Sequence, residues 1–381
     1  MIQNSWLIWG IVCAISGFSI WAANSTKWGK FLGYVNTAIL IGVVVVNLGL
    51  MPSSAGEYTT VMTTFVPLGI VLMLFMCDLT KLGKCGPKMI LCMVVCAAVM
   101  FVVSAVGALI IPMGDETWKI SAVAASYFTG NLQTAAGTAA SLELKSETMA
   151  LFSAASVIPW VVYSLGAYLV GKSPIPKFLK SYKDSDTGIT LTEEEMAEAR
   201  EKLDRKQVFI NINETAIVIG AAVLVTSVGQ WLGQVTGFYS IVFYATLGIL
   251  VANFTPIRKF VVHDYLATFI FTMYMVTVGL SAHWKTFATM QWNIFFYFVF
   301  IYLASVIIYL LLLKVFHLPW EMGLLAHMAC VGGPIATPPL AKSYDWTDLV
   351  LPSIIIAILG QVFGSYIGVG TGMVVRAILG G

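Results

Sequence analysis

Two apolar stretches of this chain carry polar side chains and helix-breaking residues where unbroken helix would be expected. The first reads Ser126-Tyr-Phe-Thr-Gly-Asn-Leu-Gln-Thr-Ala-Ala-Gly137 and the second His327-Met-Ala-Cys-Val-Gly-Gly-Pro-Ile-Ala-Thr337. Ser126, Thr129, Asn131, Gln133, Thr134 and Thr337 supply hydroxyls and amides, while Gly130, Gly332, Gly333 and Pro334 open the backbone. A break of this kind frees backbone N–H and C=O groups that lipid cannot satisfy. It persists only where it lines a polar cavity or is buried in protein. The freed amide end of a half-helix suits a carboxylate or phosphate. The freed carbonyl end suits Na⁺ or an ammonium group. Gly130 and Gly332 are separated by about half the chain. Interrupted segments at matching positions of two halves point to a transporter's binding site. The competing reading is packing glycines with polar contacts between helices.

Three titratable residues extend this set, each with two readings. His327 precedes the second break and either relays protons or packs as a hydrogen-bonded histidine. Asp78 closes the third apolar segment, as a coupling acid or as an interfacial charge. Glu214 stands one to two turns into the seventh segment, in Asn211-Ile-Asn-Glu-Thr215, with the same alternatives.

The elements that must position these residues are apolar. Hydrophobic residues make up 59% of the chain and charged residues only 10%, with a mean hydropathy of +0.87. Soluble domains carry about 25% charged residues. The composition therefore predicts an all-α polytopic membrane protein. Twelve apolar segments are read at 5–23, 30–50, 59–79, 88–112, 118–144 and 149–171, then at 208–231, 238–253, 262–281, 292–315, 320–341 and 348–378. Most are long enough to span a bilayer. The first lacks a basic leader and reads as a retained helix.

Loop charges decide between topologies. If all twelve segments cross, with the 24–30 loop inside, 8 of the 21 Lys and Arg fall inside. That violates the positive-inside rule. If the two broken segments leave on the side where they came in, 17 fall inside, and only Lys119, Lys145, Lys285 and Arg376 stay outside. This second arrangement gives two inverted-topology repeats, each of about five crossings plus one broken or re-entrant segment. The first repeat covers 1–171 and the second 208–381, joined by a cytoplasmic charged linker at 172–207. Within the linker, Thr192 and Glu195 form a capping box opening a short helix to about Lys206.

Other classes find little support. The Lys and Arg sit in short loops, so a net charge of +2 implies no nucleic-acid partner. The six cysteines show no CxxC or metal spacing, which argues for small apolar packing. No HExxH, GxSxG or Walker A pattern is present, so no enzyme and no self-contained ATP-driven pump is expected. Secondary transport, a channel and a sensor or scaffold remain.

Three stretches together resemble the DUF819 (YjcL-like) family of bacterial and plant membrane proteins. They are Val66-Pro-Leu-Gly-Ile-Val-Leu-Met-Leu-Phe-Met-Cys-Asp-Leu79, Ala125-Ser-Tyr-Phe-Thr-Gly-Asn131, and Gly332-Gly-Pro-Ile-Ala-Thr337 with Leu351-Pro and Ile358-Leu-Gly. That family is similar to the cation:proton antiporter/anion transporter superfamily. The resemblance implies inverted repeats, a core domain carrying both breaks, a scaffold domain, elevator-like alternating access and a homodimer. It also implies a bacterial cytoplasmic membrane location. The chain departs from the family pattern at the first break, where Thr129-Gly130 replaces a Gly-Gly pair and Ala139 stands near the acidic position. The combined expectation is a secondary transporter of a small polar, carboxylate-bearing solute. Na⁺ or H⁺ is the coupling ion, no other cofactor or metal is expected, and a sodium site falls at the two breaks.

Overall fold

Long apolar runs with few internal prolines close a helix whose backbone needs no partner from lipid. In a computed structural model of the chain they do so. The structure describes residues 2, 4–145, 148–149, 151–152, 179–192, 194–195, 211–283 and 292–380, without the side chains of 30, 31, 334–336 and 339. The described residues carry twelve principal helices and no strand. The first half holds α1 (Ser5–Ser25), α2 (Lys27–Asn47), α3 (Gly56–Leu74), α4 (Pro87–Ile110), α5 (Thr117–Gly130) and α6 (Leu132–Ser141). The second holds α7 (Ile212–Thr236), α8 (Ser240–Phe254), α9 (Val262–Leu280), α10 (Trp292–Val315), α11 (Trp320–Ser343) and α12 (Val350–Leu379).

Six of these, α1, α3, α4, α7, α10 and α12, are long and apolar enough to cross a membrane. The protein is therefore an all-α, multi-pass membrane protein. Side-chain caps set several helix starts, with Asn4 and Thr26 accepting from backbone amides three residues on and Asn211 two residues on. The expected segment at 149–171 lies almost wholly outside the described residues, as does the linker helix beyond Glu195.

The helices pack in two groups. One joins α1, α2 and α3 to α7, α8 and α9; the other joins α4, α5 and α6 to α10, α11 and α12. Helices at matching positions of the two halves thus share a group. The groups meet where α3 and α8 pack on α6 and α12.

Bonds between helix ends sort those ends onto two faces. On one face, Arg258 pairs with Asp78 at 2.8 Å, Lys84 pairs with Glu195 at 2.8 Å, and Trp320 N donates to Lys180 O at 3.0 Å. On the other, Asn47 Nδ2 donates to Ala282 O at 3.2 Å, and Asn293 Nδ2 donates to Pro112 O at 2.8 Å. Lys119 Nζ donates to Glu143 O at 3.1 Å on this second face, which brings the start of α5 to the end of α6. Ser126 and Thr138, twelve residues apart, meet at 2.6 Å. In one straight helix that separation is about 18 Å, so α5 and α6 fold back as a hairpin. On the first face, the Trp320 and Trp346 rings lie 5.2 Å apart, so α11 also returns to the side it came from. The two hairpins point at one another from opposite faces.

Candidate functional site

The tips of the two hairpins are the two sequence breaks. Asn131 separates α5 from α6 at φ 89°, ψ −179°, and Gly333 interrupts α11 at φ 64°, ψ −162°. With ψ at −179°, Asn131 lies outside the αL region that Asn tolerates and in one that is essentially confined to glycine, so the surrounding structure holds this break under strain. At Gly333 any side chain would also collide: a Cβ there would lie 2.7 Å from Asn131 Nδ2. The two breaks therefore touch, tip to tip.

Each tip satisfies part of its own freed backbone. Asn131 Oδ1 accepts from Gln133 N at 2.9 Å and Thr134 N at 3.3 Å, which caps α6. Thr134 Oγ1 donates to Gly130 O at 3.0 Å, and Thr337 Oγ1 donates to Gly333 O at 2.8 Å. Ser126 Oγ donates to Gly364 O at 2.9 Å and ties α5 to α12. Thr129 Oγ1 is fully buried and has no hydrogen-bond partner among the described residues. Gln133 and Gly332 are half-buried, so the tips are not sealed. Gln133 Nε2 donates to Tyr34 Oη of α2 at 3.1 Å. All these side chains are uncharged. Two amides of α6 are already taken by Asn131. A bound anion must displace that cap or use the second tip.

Close approach of α12 holds the first hairpin in place. Gly360, Gly364, Gly368 and Gly372 recur one turn apart. A Cβ at Gly360 would lie 2.6 Å from Thr129 O, and one at Gly364 3.0 Å from the Gly130 Cα. Small residues of this kind let backbones pack without intervening side chains. On the other flank Gly137 of α6 sits against Ile70 of α3.

The structure thus gathers Ser126, Thr129, Gly130, Asn131, Gln133, Thr134, Gly333 and Thr337 at the tips and the α5–α12 contact beside them. Gly332 adjoins Gly333, and the Pro334 side chain lies outside the description. His327 is elsewhere: its buried ring packs 5.7 Å from that of Tyr309 on α10. Asp78 caps the short Leu79–Leu82 helix and pairs with Arg258. Glu214 stands half-buried in the first turn of α7. Neither acid lies on a hairpin. Two features escaped the sequence reading. Tyr34 follows a single Gly33 in an apolar run, which carries no signal. The glycine period on α12 is plain in the sequence, but only its contact with α5 identifies it as a packing stripe.

Both breaks and the flanking helices fall within one family. The family described as "Protein of unknown function (DUF819)" matches residues 10–378. The chain belongs to the DUF819 family. A relative, the "Uncharacterized membrane protein YjcL" of Bacillus subtilis (strain 168), is 23% identical over 397 residues, covering 96% of each chain. The DUF819 assignment therefore covers both hairpins, α12 and the linker together.

Proposed function

We propose that this DUF819 protein is a secondary active transporter of a small polar solute. The observation that carries the reading is the meeting of two half-helix breaks, brought in from opposite faces, at one uncharged polar spot. Broken helices at mid-membrane place amide and carbonyl ends beside a bound solute or ion. The buried Thr129 hydroxyl, without a hydrogen-bond partner among the described residues, fits a coordinating role there. Asn131, Gln133, Thr134 and Thr337 contact solute or ion in this reading, and Na⁺ or H⁺ drives uptake. A carboxylate on the solute is taken by the second tip. The two halves act as inverted repeats. The α4–α6 and α10–α12 group moves as the core against the α1–α3 and α7–α9 scaffold. A bacterial cytoplasmic-membrane homodimer completes the proposal.

The test begins with thermal stability of the purified protein. The panel is carboxylates, amino acids and short peptides, with and without Na⁺ and at two pH values. A ligand at about a hundred times Kd stabilises by roughly 2.7 kcal/mol. A Na⁺- or pH-dependent shift names solute class and coupling ion, and proteoliposome uptake follows. Uptake that never exceeds the outside concentration would replace this reading with a passive facilitator.

A further inference from the structure

A third break reaches the same spot. Inside α2, Gly33 adopts φ 73°, ψ 165°, so the helix is interrupted there too. Nothing crowds this position, since a Cβ at Gly33 would meet no atom within 4 Å. The positive φ, not packing, is what calls for glycine. The next residue, Tyr34, is half-buried, and its hydroxyl accepts from Gln133 Nε2 at 3.1 Å. Thr268 and Asp264 of α9 lie near that hydroxyl. Tyr34 belongs to the α1–α3 and α7–α9 group, whereas Gln133 sits on the α5–α6 hairpin of the other group.

We propose that Tyr34 is a positioning residue that closes the hairpin site on its scaffold side. Its hydroxyl occupies the Gln133 amide that a solute oxygen would otherwise take. This rests on the transporter reading, in which the two groups slide past one another. The Tyr34–Gln133 bond must break in each cycle, and the solute competes with the tyrosine for one donor. The break at Gly33 places Tyr34 at the start of the second part of α2, whose Gly42 lies against the α9 backbone at Val276 and Gly279.

The test is a labelling rate, which needs no known solute. Leu132→Cys places a reporter thiol on the half-buried first residue of α6. The background is Cys13→Ala, because the other five native cysteines are buried. A membrane-impermeant maleimide is applied to right-side-out and inside-out vesicles holding the full chain. Loss of one hydrogen bond corresponds to a rise on the order of two- to tenfold in the open fraction. Tyr34→Phe, which keeps the ring, should raise labelling of the reporter by that factor from one face. Gln133→Leu should give the same rise, and the double variant no further one. Buried Cys92, Cys96 and Cys330 should stay unlabelled throughout. An unchanged rate in Tyr34→Phe overturns the proposal, and so does labelling of the buried cysteines, which would mean general loosening. Failure of the transporter reading looks different. The reporter would then be reached from the same single face in every vesicle orientation and ion gradient, in the parent and in Tyr34→Phe alike, whereas alternating access exposes it to each face in turn.

Discussion

Asn131 does two jobs with one side chain. Its oxygen caps α6, and its amide nitrogen lies against Gly333 of the opposing hairpin. Asn131→Ala should cost about 1 kcal/mol through the lost cap, read as a lower unfolding temperature. Gly333→Ala forces a Cβ into a positive-φ position beside Asn131, and about 1–3 kcal/mol of strain is expected. Transport should suffer more than stability. Asn131→Leu or Gly332→Leu should abolish uptake in proteoliposomes at normal expression, and unchanged uptake in both would remove the tips from the binding site. The residue types at the breaks were legible because glycine and amides are out of place in an apolar run. The role of Tyr34 was not legible, because a tyrosine after one glycine has no distinctive pattern.

The described part of the linker, 179–192 with 194–195, is packed as a structural element. Glu321, buried at the start of α11, accepts from Tyr182 N at 2.9 Å and from the Ser181 hydroxyl. Thr190 N donates to Lys84 O at 3.0 Å, and Leu191 packs with Cys85, Leu351 and Ile355. The expected capping box forms, with Glu195 N donating to Thr192 Oγ1 at 3.2 Å and Thr192 N donating to Glu195 Oε2 at 3.1 Å. These bonds strap the base of the α11 hairpin to the starts of α4 and α12. Glu321→Ala leaves two donors without their acceptor, and a loss of about 1–3 kcal/mol is expected. The readout is faster limited proteolysis between residues 179 and 192. The strap should also respond to acid. The Lys84 ammonium holds the Glu195 carboxyl below the usual carboxylate range. A depressed value means that this contact is fully present above the usual range and lost as pH falls through the folded value. Proteolysis of the strap should therefore quicken only in acid, and Lys84→Ala should flatten that dependence.

For the molecule as a whole, the two-group packing predicts relative motion at the seam where α3 and α8 meet α6 and α12. Thr246 on α8 bonds Tyr366 on α12 at 2.7 Å across that seam. Cysteines placed at 246 and 366 and joined by a bis-maleimide that spans the reach of the lost tyrosine ring should stop uptake while leaving the solute-induced thermal shift intact. Continued uptake in the cross-linked protein would rule out sliding along this seam.

Composition, segment lengths and loop charges were enough to read an all-α membrane protein with two broken segments, because burial in lipid constrains each segment by itself. The count of basic residues even favoured chain reversal at both breaks, and the contacts from Lys119 to Glu143 and from Trp320 to Trp346 display that reversal. What only the tertiary structure decided is which surfaces meet. Asn131 against Gly333, Tyr34 against Gln133 and Glu321 against the linker join residues far apart in the chain. Such pairings depend on backbone approach and mutual fit, which leave no periodic trace in either partner. The same limit explains Asp78 and Glu214. Sequence places an acid at a segment end, but only the fold shows Asp78 turned to Arg258 and both acids off the hairpins.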